Sequence, residues 1–351
     1  MLAVLDPEQQ LLAETVQSLA STMRVAGPHD VEQVDRAKAW AALADAGLLG
    51  LRRRDGGVPL ASGVESMIVA HELGAALAPV PYVAAVLAVE LLELAGVGDE
   101  RAEPIAVGTS HPGLLLGSSL LDVADATDER AVMIGGLTVD QGFALRRAEG
   151  GAQLVSVGTD GIEASAAGVD LTTALATRAG GVDPSAIEDV GAPIADADLQ
   201  RWRALALTLT SADCAGAMRA AVDGVVEYTK VRIAYDVPIG TFQALQHMCA
   251  DAFVDCEAAV TTNNYAAWAV DALDPAEALL AAHTAKAWTA RVGRGVTETV
   301  TQVYGGIGHT WEHVAHLFVR RVLLDTALFG NEVHQLDAIA LLRGAGVGSG
   351  S

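Results

Sequence analysis

Positive charge is what this sequence has least of. Lys and Arg together number 22 against 44 Asp and Glu, a formal net charge of -22. A surface that acidic repels phosphate backbones and anionic lipid, which argues against nucleic-acid and membrane partners. Aromatic residues are also few, 4% against 51% hydrophobic residues overall, the balance of an Ala/Leu/Val-rich helical protein. Cysteine is nearly absent. Cys214, Cys249 and Cys256 form an odd set without Cys-x-x-Cys spacing, which argues against both a disulfide framework and a structural zinc site. Cys249 and Cys256 lie seven apart in a helical pattern and are expected to pack in a core. Long apolar runs are lacking as well: residues 83–96 are interrupted by Glu90 and Glu93 and are too short to span a bilayer. Residues 1–8 lack the basic region and apolar run of a secretory signal, so a cytoplasmic location is expected.

What is there reads as helices around a short stretch of strands. At 351 residues the chain is long for one compact core and suits two or three structural units. Asp6, Pro7 and Glu8 make a helix start, after which Leu11, Leu12, Val16 and Leu19 recur at helical spacing. Further helices are expected over 34–46, 64–78 and 82–94. Arg52, Arg53 and Arg54, between the first two of these, read as a solvated junction. From about residue 102 to 189, short apolar runs at 113–117, 131–134 and 154–157 are separated by Gly, Asp, Thr and Ser, the texture of strands and turns. Helical periodicity returns over 196–230, with Leu205, Leu209, Ala212, Ala215 and Met218 as its buried stripe. Helices over 241–271, 275–303 and 311–326 complete an antiparallel bundle. The expected fold is mainly α with a small β domain: an N-terminal helical domain over 1–100, the β domain over 101–192, a C-terminal four-helix bundle over 193–345 and a disordered tail over 346–351.

Two stretches carry chemistry. Gln302, Val303 and Tyr304 lead into Gly305, Gly306 and Gly308, and three glycines in four positions break the helix and bare its backbone N–H groups. Such a loop can cradle a phosphate or a flavin ribityl chain, or be a plain turn. Arg232, Tyr235, Gly240 and Gln243 mark the junction after the long helix. The guanidinium fork of Arg232 is suited to two phosphate oxygens at once, while capping of the flanking helices is the other use for Arg232 and Gln243.

As a pair the two stretches resemble the acyl-CoA dehydrogenase family, which carries an Arg, an aromatic three residues on and a Gln eleven residues on, then a distant Gln followed by Gly-Gly-x-Gly. Trp40, Gly47 to Leu51, Gly56, Gly57, Glu72 to Gly74 and Pro81 extend the likeness through the first hundred residues. The resemblance implies FAD as cofactor, an acyl-CoA substrate, an electron-transfer flavoprotein as acceptor, and an oligomer in which Arg232, Tyr235, Gln243, Gln302, Val303, Tyr304, Gly305 and Gly306 reach a flavin held mainly by a neighbouring subunit.

Two family features are missing. The Thr-Glu-Pro-type segment with Gly-Ser-Asp is not found, although Asp170 to Thr173 resembles the family's late strand region, so the middle domain reads as shortened. The usual catalytic Glu, counted on from Glu312, falls at Phe329, Gly330 and Asn331, and the minority position on the long helix falls near Ala206. Asp213 and Glu332 are the remaining candidates for a base. Glu312 reads as structural, and His309, His313 and His316 lack the companions of a metal site, so no metal is expected. The combination resembles the shorter, non-catalytic subunit of actinobacterial heterotetrameric steroid acyl-CoA dehydrogenases, which implies a longer partner that carries the Glu. A homo-oligomer that keeps the scaffold only to bind a ligand or protein, and a complete homo-oligomeric enzyme with an atypical base, are the alternatives.

Overall fold

The computed structural model describes residues 5–123, 128, 131–135, 138–159, 162–165, 169–178 and 186–344. The tail expected over 346–351 lies outside the described residues. Asp6 opens α1 (Pro7–Ser21) with a capping box, accepting from the Glu8 and Gln9 N–H groups while the Gln9 side chain accepts from the Asp6 N–H. The helix expected over 34–46 is α3 (Arg36–Asp45), and a short helix that was not expected, α2 (Pro28–Gln33), precedes it. Asp35 takes extended backbone between them and caps α3 by accepting from the Lys38 N–H. A small hairpin, β1 (Arg54–Asp55) and β2 (Val58–Pro59), leads to α4 (Gly63–Ala75), α5 (Tyr82–Leu94) and the short α6 (Glu103–Ala106).

Strands β3 (Pro112–Leu116), β4 (Val132–Ile134), β5 (Gln141–Ala148), β6 (Gly151–Val157), β7 (Ile162–Ser165), β8 (Leu175–Arg178), β9 (Ile187–Asp189) and β10 (Ile194–Ala195) form one sheet. Its order is β10-β6-β5-β3-β4-β8-β7, with β9 also paired to β6. All pairs are antiparallel except β3 with β5. Side-chain alternation divides its faces. Leu114, Leu116, Phe143 and Leu154 join the main core with α5, whereas Leu115, Met133, Ala144 and Val155 form a separate small cluster.

The bundle follows: α7 (Asp196–Val231), the hairpin β11 (Ile233–Ala234) and β12 (Val237–Pro238), then α8 (Gln243–Ala272), α9 (Pro275–Tyr304), α10 (Ala315–Ala327) and α11 (Glu332–Leu342). The helix expected from 311 starts at Ala315, because residues 311–314 form turns, and α11 lies beyond the last helix expected. Every residue of α7 from Ala204 to Met218 is buried, so the expected stripe is one side of a helix enclosed all round. That enclosure depends on close approach of α4. A Cβ on Gly74 would overlap the Asp213 backbone, and one on Gly216 the His71 carbonyl.

The solvated junction expected at Arg52 to Arg54 is a buried ion-pair network instead. Arg52 is 0% exposed and donates to Glu90 and Asp271 at 3.0 Å each. Arg53 pairs with Glu93, Asp99 and Glu103, and Arg54 with Glu90. These partners tie the loop to α5 and to the end of α8. Among the described residues, no helix is long and apolar enough to cross a membrane.

Candidate functional site

Helices α7 and α9 finish at the same end of the bundle, and α8 begins there. Tyr228 in the last turn of α7 packs on Tyr304 in the last turn of α9, with ring centroids 4.9 Å apart. The expected cofactor-binding residues lie at this end of the bundle. Arg232 directly follows α7, its N–H donating to the Tyr228 carbonyl at 2.9 Å, and its own carbonyl accepts from Ile239 at 2.8 Å. The guanidinium is exposed and makes no ion pair among the described residues. The tip of β11-β12 is Tyr235 and Asp236, at φ 54° and 65°. Two left-handed positions are what a tight two-residue hairpin demands, and filling them with non-glycine residues stores strain of the kind found at functional sites. Tyr235 is 91% exposed and packs edge-on against Phe242 alone among the aromatic rings.

Gln243 opens α8, whose first turn has no side-chain cap and no acidic residue. Its uncapped N–H groups and helix dipole present positive charge at this end. Gln302 is exposed one turn before the glycine loop. Gly305 ends α9 at φ 67° and ψ -142°, a conformation reserved for glycine. A Cβ would meet nothing within 4 Å at Gly305 or Gly306, so another molecule can reach their backbone unobstructed. Gly308 differs: its Cβ would come within 2.8 Å of the Tyr304 Cβ and 2.9 Å of the Thr301 carbonyl, so it serves the turn itself.

Two of the expected residues act otherwise than by an exposed side chain. Val303 is buried in the bundle, leaving only its backbone for a ligand. Tyr304 is half-buried between Tyr228 and His313, and burial followed by the neighbouring Tyr228 raises its hydroxyl pKa. The imidazoles of His313 and His316 are committed to shaping the turn. His313 accepts from the Ala315 N–H at 3.1 Å, and burial and then His316 lower its pKa. His316 accepts from Arg320 at Nδ1, 3.3 Å, and therefore donates from Nε2 to the Trp311 carbonyl, 2.8 Å. Among the described residues no three His, Cys, Asp or Glu side chains are gathered as metal ligands.

The positions counted for a base hold no free carboxylate. Phe329, at φ 58°, is 6% exposed and packs edge-on against Trp202. Its N–H donates to the carbonyl of Leu120, itself at φ 58°, and Gln335 Nε2 donates to the carbonyls of Phe329 and Gly330 at 2.7 and 2.9 Å. Ala206 is fully buried. Asp213, weighed as a base, is 7% exposed with both oxygens gripped by Arg321, at 2.8 and 3.0 Å. A carboxylate so held is poorly placed to take a proton from a substrate. Glu332 lies in the first turn of α11, 3.4 Å from Arg291.

Arg321 centres a network that local sequence did not announce. It also reaches Asp170 at 3.2 Å, Thr172 at 2.9 Å, and Thr173, and this keeps it charged despite burial. Lys286, wholly buried, donates to the Asp325 carbonyl, and burial pushes its pKa down to about 8. Burial and then Asp213 hold the Asp325 carboxyl well above the usual carboxylate range.

A helical layer, a small sheet and an antiparallel bundle in that order place the protein in the helix–sheet–helix class of folds. Comparison with known proteins narrows this. Residues 193–341 match the acyl-CoA dehydrogenase C-terminal domain. Over 329 residues the chain is 31% identical to the acyl-CoA dehydrogenase IpdE2 of Mycobacterium tuberculosis, covering 90% of each. A 148-residue stretch, 42% of this chain, is 36% identical to the acyl-CoA dehydrogenase FadE34 of the same organism, of which it spans 21%. Among solved structures, a chain of the ChsE4-ChsE5 complex from Mycobacterium tuberculosis matches with TM-score 0.79 and 21% identity, over 99% of this chain and 100% of that one. The Tcur3481-Tcur3483 steroid ACAD matches with TM-score 0.74 and 19% identity, over 97% and 98%. The chain belongs to the acyl-CoA dehydrogenase family, oxidoreductases that act on CH–CH bonds with FAD as cofactor.

Proposed function

We propose that this chain is one subunit of an FAD-dependent acyl-CoA dehydrogenase that introduces an α,β double bond into a bulky CoA thioester, and that a longer partner subunit supplies the carboxylate base. The observation that carries this reading is a contrast within one stretch of chain. The backbone at Gly305 and Gly306 stands open at the end of the bundle where Arg232 and Gln243 also lie, whereas the place counted for the base holds a buried, hydrogen-bonded Phe329.

When bound, FAD supplies the acceptor for the β hydride, a role no side chain can fill. Here Arg232 would pair with pyrophosphate oxygens. Gln243 and Gln302 would offer amides to the adenine and ribityl portions, and Tyr235 an exposed ring. Bare backbone from Val303 to Gly306 would admit the phosphates closely, and the uncapped start of α8 favours negative charge there. Excluding the base from this chain leaves the proton abstraction to the partner. Likeness to the ChsE4-ChsE5 complex and to the Tcur3481-Tcur3483 steroid ACAD supports a heteromeric assembly, and the latter supports a steroid-derived acyl group. Electrons would pass on to an electron-transfer flavoprotein, in the cytoplasm.

The test is to purify the chain alone and with a longer relative that carries the Glu, and to record visible absorption and acyl-CoA turnover. Flavin and turnover are expected only in the complex, and Arg232→Ala should empty the complex of flavin. A colourless, inactive complex would sink the reading.

A further inference from the structure

We propose that Arg320 and His316 form a positioning relay that holds the turn after the glycine loop against the segment leading into β8, so that the open backbone at Gly305 and Gly306 is already in place when an anionic ligand arrives. On the proposed function, on which this inference rests for its ligand, that anion is the pyrophosphate of the dinucleotide. Glycines at 305, 306 and 308 give this stretch more backbone freedom to lose than other residues would. A loop that had to be ordered on binding would weaken its own grip. Contacts outside the loop therefore have to fix it.

The first half is fixed by packing, since Gly308 lies tight against Tyr304 and Thr301. The second half is fixed by side chains of α10. His316 Nε2 donates to the Trp311 carbonyl at 2.8 Å, and the half-exposed Trp311 ring stacks on the imidazole with centroids 5.0 Å apart. Arg320 lies one turn further along the same helical face. Its Nε donates to His316 Nδ1 at 3.3 Å and its Nη1 to the Val169 carbonyl at 3.0 Å. Because an arginine only donates, it leaves His316 one tautomer, the one whose Nε2 carries the proton that the Trp311 carbonyl accepts.

The far anchor is itself held. Val169 precedes Asp170, whose carboxylate accepts from the Thr172 and Thr173 N–H groups at 3.0 and 2.9 Å and from Arg321 at 3.2 Å. Two successive arginines of α10 thus pin one turn, Arg321 through its side chains and Arg320 through its backbone. The relay runs from the Val169 carbonyl to the Trp311 carbonyl through Arg320 and His316 in series, so removing either side chain breaks all of it.

Two measurements test the proposal: amide hydrogen exchange of the full chain, read by mass spectrometry, and flavin affinity of the complex with the longer partner, read by absorption. His316→Ala should speed exchange over residues 305–314 by about tenfold or more while circular dichroism and exchange elsewhere stay unchanged. It should also weaken flavin binding about tenfold. Arg320→Lys keeps the charge but not the fork, and should do the same. Combined, the two should weaken binding no further than either alone, because both break one relay. His316→Gln, which offers an acceptor and a donor, should recover most of the affinity. Unchanged exchange in His316→Ala, a double variant about a hundredfold weaker, or no recovery with Gln would overturn the proposal. A colourless wild-type complex would instead sink the flavin reading, while exchange in the chain alone would still decide whether the relay holds the loop.

Discussion

Replacing Arg321 with Gln probes the buried network most directly. The guanidinium is 3% exposed, grips both oxygens of Asp213, and reaches Asp170 at 3.2 Å. Gln removes the cation and strands two nearly buried carboxylates. Breaking a buried pair from one side costs about 3–5 kcal/mol, because the remaining charge is left uncompensated. The upper part of that range applies here, since two carboxylates lose the same partner. Asp213→Asn is milder. It keeps the shape and leaves Arg321 with Asp170, so a loss of about 1–3 kcal/mol is expected. Urea unfolding at neutral pH, followed by circular dichroism, measures both. A loss below about 1 kcal/mol for Arg321→Gln would refute the claim that this guanidinium neutralises buried charge. The same pair of variants addresses chemistry. In the complex, Asp213→Asn should turn over at close to the normal rate, whereas a fall of about 10²-fold or more with stability intact would return Asp213 to the role of base.

The glycine loop and the Lys286–Asp325 pair give further outcomes. Gly306→Ala should leave the fold intact while lowering flavin content of the complex, whereas Gly308→Ala should lower the melting temperature of the chain itself, because only its Cβ collides with Tyr304 and Thr301; calorimetry beside flavin absorption separates the two, and equal behaviour would contradict the geometry. Asp325 has a raised pKa in the folded chain, so just above the ordinary carboxylate range the folded state binds the extra proton and stability falls as pH rises. Lys286 acts oppositely. Between about 8 and 10.5 the unfolded chain binds the extra proton, so stability rises with pH there. Asp325→Asn should abolish the first slope in a plot of urea midpoint against pH, and an unaltered slope would count against a buried proton on Asp325.

Much of the architecture was legible because local signals agree with it. Asp6, Pro7 and Gln9 write a helix start in four residues, and Gly305 ends a helix in a conformation only glycine adopts. Arg232, Gln243 and Gln302 lie at the end of the bundle where α7 and α9 finish and α8 begins. What stayed hidden depends on partners distant in sequence. Arg52 looks like one of three solvated arginines until Glu90 and Asp271 are folded against it, and Asp213 looks like a spare acid until Arg321 closes on it. The short α2 was missed because its six residues, opening at Gly27 and Pro28, are too few to show a helical stripe. Helix α11 was missed because its apolar residues occur all round, so no single stripe announces it.

The crossing of α4 over α7 at Gly74 and Gly216 has a consequence for how the molecule can be divided. Backbone there lies against backbone, so the polypeptide before the sheet is wall material for the longest helix after it. Excising the C-terminal half would strip that wall and lay bare the side of α7 that faces α4, while α8, α9 and α10 would still cover the rest. The two halves are therefore expected to melt as one cooperative unit, and a single calorimetric transition of the whole chain would show it.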